Sequence, residues 1–139
     1  RNRSAVAGYS ASPLVQKLGI KPGNKVRVVG APPGYRRLLA PLPQGVTFVT
    51  RLSTATDMIH LFATSKAQLR NGLAGARRRM RANAMVWVSW PKRTAGVATD
   101  ITEDVIREVA LPLGLVDVKV CAVTDVWSGL KLVIRKELR

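Results

Sequence analysis

Residues 26–35, Val-Arg-Val-Val-Gly-Ala-Pro-Pro-Gly-Tyr, constrain the fold of this chain more than any other stretch. Val26, Val28 and Val29 favour extended backbone and read as a buried strand over residues 25–30. Gly30 and Gly34 then bound a loop, and residues 35–40 give about one and a half helical turns before Pro41 stops them. A strand that passes through a glycine loop into a helix is how an alternating α/β domain begins. Two imino acids, Pro32 and Pro33, occupy the centre of that loop.

The remaining pattern continues the alternation. Residues 1–11 lack periodicity and are expected to form a flexible basic arm, leaving one domain over residues 12–139. Ser12 caps a short helix with Pro13 at its first position and Gly19 as its stop. Strands are expected at residues 46–51 and 57–63. Ser65 caps the longest helix, which runs to about residue 81. Its Leu69, Leu73, Ala76 and Met80 form a buried stripe, although Gly72 and Gly75 each cost about 1 kcal/mol against alanine. Residues 84–90 are apolar on both faces, as a central parallel strand must be. Asp100-Ile101-Thr102-Glu103 reads as a capping box for a helix that ends at Pro112 and Gly114. Residues 115–123 and 130–136 are the last two strands, with a connection over 124–129. The expected fold is α/β and Rossmann-like: a mostly parallel sheet, helices on both faces, and a C-terminal antiparallel hairpin.

This strand, loop and hairpin arrangement resembles the fold of S-adenosylmethionine-dependent methyltransferases. Members of that group carry an acidic residue in the first strand, followed by G-x-G-x-G. Val28 stands where the acid belongs, Gly30 and Gly34 match the outer glycines, and Pro32 replaces the middle one. Near the end of the second strand, where an acid would hold the ribose hydroxyls, this chain has Arg51. The resemblance implies the scaffold without its cofactor chemistry, so no cofactor is expected. Residues 7–10, 17–23, Trp90-Pro91-Lys92, 99–123 and 127–132 together resemble a bacterial family known only as a domain of unknown function. That second resemblance implies a bacterial cytoplasmic protein and supplies no activity.

Composition narrows the partners. Twenty-three Lys and Arg against eight Asp and Glu give a net charge of +15, which attracts nucleic acid or another polyanion. No apolar run approaches the roughly 20 residues a membrane span needs, and no signal segment opens the chain, so no membrane association is expected. Cys121 is the single cysteine, which excludes an internal disulfide and a thiolate metal cluster. No metal site is expected.

Ligands of open α/β sheets gather at the carboxyl ends of the strands. Four segments are expected there: Gly30 to Tyr35, Thr64-Ser65-Lys66, Trp90-Pro91-Lys92-Arg93, and the hairpin tip at 125–128. Gly30, Gly34 and Tyr35 border the glycine loop, whose prolines remove amides that a phosphate would want. Trp90 and Trp127 offer aromatic faces, Lys92 a cation, and Ser128 a hydroxyl beside Trp127. Ser128 lacks an evident base, because His60 lies within an apolar strand; a turn role suits it better. Asp100 and Glu103 are spaced for helix capping as well as for acid–base work, and capping accounts for them. Cys121 reads as a small core residue.

Lys66, Arg70, Arg77 and Arg81 fall within about 60° of one another on the longest helix and could track a phosphate backbone. Arg78 and Arg79 point elsewhere, and further cations such as Arg36, Arg37 and Lys131 are spread along the chain. No RNA-recognition, zinc-finger or helix-turn-helix signature is present. The sequence thus reads as a non-catalytic binding module for nucleic acid, RNA foremost, or another polyanion. The alternative is a methyltransferase-like or nucleotide-binding enzyme with a non-standard site around Trp90, Lys92 and Trp127.

Overall fold

Six strands form one sheet in the computed structural model, which describes residues 12–139. They are β1 (Lys25–Val29), β2 (Thr47–Phe48), β3 (Met58–Phe62), β4 (Met85–Pro91), β5 (Leu115–Ala122) and β6 (Trp127–Ile134), in the order β2-β1-β3-β4-β6-β5. Strands β1 to β4 are mutually parallel, and β6 is antiparallel to both β4 and β5. Strand β5 therefore runs with the first four, which puts the hairpin tip at the same end as their carboxyl termini. The chain leaves β1 to one side for β2 and returns to its other side for β3, so the topological switch point lies between β1 and β3.

Helices cover both faces. On one face α3 (Lys66–Arg79) and α4 (Glu103–Ala110) bury Leu69, Leu73 and Ile106 against Ile59, Leu61, Val86, Val88 and Leu132. On the other, α1 (Leu14–Leu18), α2 (Tyr35–Leu38) and the residue that ends α2 bury Leu18, Tyr35 and Leu39 against Val26, Met58, Phe62 and Trp87. The Trp87 indole donates to the Leu18 carbonyl over 2.9 Å, fastening α1 to the central strand. Every residue of β3 is buried, as a strand covered on both faces requires. The expected stripe Leu69, Leu73, Ala76 and Met80 is buried, and Ser65 caps α3 in a reciprocal box with Gln68.

Several expected boundaries move for reasons the tertiary structure supplies. Strand β2 spans two residues instead of six, because the chain turns away from the sheet edge after Phe48. Strand β6 begins at Trp127, three residues early, because Trp127, Ser128 and Gly129 pair with Pro91, Trp90 and Ser89. Trp127 and Ser128 thus belong to a strand, and the turn is confined to residues before them. Helix α4 is capped by Thr102, whose hydroxyl accepts from the Val105 amide. Asp100 instead accepts from the Lys66 amide at 2.8 Å, capping the neighbouring helix α3. Burial of Ile101 between them carries Asp100 to that position. The expected arm at 1–11 lies outside the described residues. Among those described, no helix is long and apolar enough to cross a membrane.

Candidate nucleic-acid interface

The crest formed by the carboxyl ends of the parallel strands is where a ligand would be sought first. At the switch point the chain is closed. Gly30 has φ +71°, and a β-carbon there would stand 2.8 Å from the Phe62 carbonyl oxygen. This glycine serves the approach of the β1 exit to β3. Pro32 and Pro33 carry no amide hydrogen, and the Tyr35 amide already donates to the Pro32 carbonyl at 3.2 Å. Gly34 lies at φ +79° before a helix of four residues, too short to present a useful dipole.

Beneath this loop Tyr35 points inward. Its hydroxyl lies 2.7 Å from His60 Nδ1, and His60 Nε2 lies 2.8 Å from Ser89 Oγ. Burial pushes the imidazole down to about 3 and the phenol upward, so both stay neutral. Each ring nitrogen of the neutral imidazole thus has a hydroxyl partner, one of them accepting and the other donating. A serine and a histidine at this spacing resemble a nucleophile and its base. Both are fully buried and hydrogen-bonded, so they form a satisfied polar core. Phe62 stacks on His60 with ring centres 4.3 Å apart and meets Trp127 edge-on at 5.1 Å. Aromatic rings thus fill the space under the crest. Tyr35, read from sequence as a ligand candidate, is buried in this core and also lines a groove on the α2 side of the sheet, as does Gly34; Ser89 escaped sequence reasoning because nothing local pairs it with His60.

The structure brings Trp90, Lys92, Trp127 and Ser128 together. Trp90 is opposite Ser128, Pro91 is opposite Trp127, and the Lys92 amide donates to Val126 at 2.7 Å. The two indoles do not face one ligand. Trp90 is buried on the α3–α4 face, whereas Trp127 packs against the α1–α2 face. Lys92 borders a groove of about 390 Å³ with Lys17, Thr124 and Asp125. Cys121 is half-buried against the α1–α2 core, and burial raises its thiol.

The four cations of the expected stripe are separated, since α3 ends at Arg79 and Arg81 lies beyond it. Arg77 Nε donates to the Leu113 carbonyl at 2.8 Å, beneath the end of α4. Arg81 pairs with Asp57 and donates to the Thr56 carbonyl and to Asn83. Lys66 and Arg70 border another groove, of about 420 Å³, together with Glu108. Burial alone would raise the Asp57 carboxyl, but the Lys25 amide and the Arg81 guanidinium outweigh it and hold it below the usual range.

Arginines also line two grooves around β1 and β2. On the α2 side a groove of about 670 Å³ is lined by Arg27, Arg36, Arg37, Tyr35, Phe48 and Thr50. On the α3 side a second groove, of about 590 Å³, is lined by Arg27, Arg51, Arg79, Asn71, Gly72 and Gly75. Arg27 and Thr50 belong to both. The Arg36 guanidinium lies 4.3 Å above the Phe48 ring. No carboxylate lines either groove, and before Asp100 the sequence has only Asp57, which sits at the other end of the strands in its pair with Arg81. Sequence reasoning placed Arg79 off the α3 stripe; that displacement is what aims it at β1. Among the described residues no group of three or more His, Cys, Asp or Glu side chains could hold a metal.

Residues 52–136 match the family described as "Protein of unknown function (DUF3052)", which includes three of the sequence segments that carried the family resemblance. No curated protein matches the sequence. Among solved structures, a SAM-dependent methyltransferase from Aquifex aeolicus aligns over 88% of this chain and 88% of its own, at TM-score 0.67 and 13% identity. A putative type 11 methyltransferase from Sulfolobus solfataricus aligns over 88% and 90%, at TM-score 0.62 and 14% identity. A possible exported protein from Bordetella parapertussis aligns over 86% and 64%, at TM-score 0.61 and 10% identity. The fold is methyltransferase-like. The loop after β1 lacks the donors and acid of the S-adenosylmethionine cradle: Gly30 is packed against Phe62, the prolines offer no amides, and Arg51 follows β2, although Ala31 and Gly34 border the α2-side groove.

Proposed function

The chain belongs to this family of unknown function, and on that premise we propose that it is a non-catalytic module that binds nucleic acid, RNA foremost, on the cationic end of a methyltransferase-like sheet. One observation carries the reading: five arginines, Arg27, Arg36, Arg37, Arg51 and Arg79, border two adjoining grooves that contain no carboxylate. Guanidinium groups held in concave surface are suited to phosphate oxygens, and binding of this kind releases counterions. RNA affinity measured from 50 to 200 mM salt should fall steeply on logarithmic axes. A slope near zero overturns the proposal.

A second reading is a nucleotide-binding or methyltransferase-like enzyme whose ligand enters elsewhere on the crest. It is favoured by the fold relatives described as SAM-dependent. Thermal melting with S-adenosylmethionine, S-adenosylhomocysteine, NAD and ATP separates the two. A shift of several degrees that grows with ligand concentration would put the second reading first.

A further inference from the structure

The grooves adjoin because β2 ends early. Only Lys25 and Val26 of β1 have partners on β2, whereas Val26 to Val29 all have partners on β3. Above Val26 the outer edge of β1 is therefore a notch. The Arg27 guanidinium occupies it and donates to the Val28 carbonyl at 3.0 Å, where a longer β2 would have supplied a backbone donor. From there Arg27 reaches both grooves, with Arg36 and Arg37 on the α2 side of the sheet and Arg51 and Arg79 on the α3 side.

We infer that the nucleic acid is single-stranded and passes through this notch, from one face of the sheet to the other, over Arg27. The inference rests on the nucleic-acid reading above and specifies its ligand. A duplex is stiff over about 150 base pairs, and proteins that bend it sharply must supply the elastic cost through many added contacts. Turning it around one sheet edge over five arginines is therefore disfavoured, whereas a single strand bends at each nucleotide. The Phe48 ring is already covered by Arg36, so the path contacts backbone phosphates more than stacked bases. Weak dependence on base sequence follows.

The test uses the whole chain and fluorescence anisotropy with a labelled oligonucleotide of mixed sequence, free and annealed to its complement. The variants Arg36→Gln/Arg37→Gln and Arg51→Gln/Arg79→Gln each remove exposed charge from one groove, and Arg135→Gln/Lys136→Gln removes the same charge elsewhere. Urea midpoints establish that all three stay folded. The single strand should bind at least tenfold more tightly than the duplex. Each groove pair should reduce the salt slope by about 1.4, the value for two phosphate contacts on a single strand, and the distant pair should leave it near the parent value. Equal or tighter duplex binding, or a loss confined to one groove, overturns the notch while leaving the nucleic-acid reading intact. Failure of both probes to bind at 50 mM salt overturns both.

Discussion

Gly30 lies against the backbone of Phe62 so closely that an added β-carbon would be 2.8 Å from the Phe62 carbonyl oxygen. This contact closes the gap between β1 and β3 at the position where α/β sheets commonly admit a ligand. Gly30→Ala would meet that oxygen and hold alanine at φ +71°. The expected cost is about 2–4 kcal/mol, from left-handed strain and overpacking together. A urea midpoint unchanged from the parent would show that the seam is looser than this contact implies.

Two glycines of α3 should respond with opposite signs. A β-carbon on Gly75 meets nothing within 4 Å, so Gly75→Ala should stabilise by about 0.5–1 kcal/mol through helix propensity. A β-carbon on Gly72 would lie 2.6 and 2.7 Å from the Leu61 methyl carbons, which are buried against the sheet. Gly72→Ala should therefore destabilise despite the same propensity gain. Thermal denaturation of the two variants side by side decides it, and a shared sign would refute the packing argument.

His60 makes stability depend on pH in a defined window. Its folded value is about 3, against about 6.5 for an unfolded histidine. Between those values the unfolded chain takes up a proton that the native protein refuses, so stability falls as pH drops. From pH 6.5 to pH 5 the loss should be about 1.5 kcal/mol. His60 is the chain's single histidine, so His60→Gln should flatten that interval. A wild-type urea midpoint that stays constant across it would be incompatible with a buried neutral imidazole.

Arg81→Gln tests whether this cation is structural. Removing it takes from Asp57 its ion-pair partner and leaves the Thr56 carbonyl without the guanidinium donor, at an expected cost of about 1–2 kcal/mol at neutral pH. The folded Asp57 value is depressed, so the pair stabilises above the unfolded value of about 3.9 and loses that contribution as pH falls through the folded one. The gap between variant and parent in urea midpoint should shrink accordingly in acid. RNA affinity should hardly change; a large loss would return Arg81 to the binding surface.

Helix α3 and strands β3 and β4 were legible because their signals are local. Ser65 caps within four residues, and Leu69, Leu73 and Ala76 repeat at helical spacing. The apolar runs of β3 and β4 announce strands covered on both sides. The candidate site was legible only in its ingredients. Trp90 and Trp127 are brought to adjacent strands, yet strand alternation sends them to opposite faces. Helical spacing puts Arg77 and Arg81 on one face with Lys66, but α3 ends at Arg79, and the partners of the two arginines, Leu113 and Asp57, lie 36 and 24 residues away.

The sequence by itself determined the α/β class, the main helix and its buried stripe, the two central strands, and a first loop deprived of amides by Pro32 and Pro33. Those features follow from side-chain periodicity and from backbone restrictions that act within a few residues. Only the tertiary structure decided that β2 ends after Phe48, that Asp100 caps α3, that Tyr35 reaches His60, and which arginines line the grooves beside β1. A charge or hydroxyl takes its role from what surrounds it in space, and here those neighbours come from distant parts of the chain.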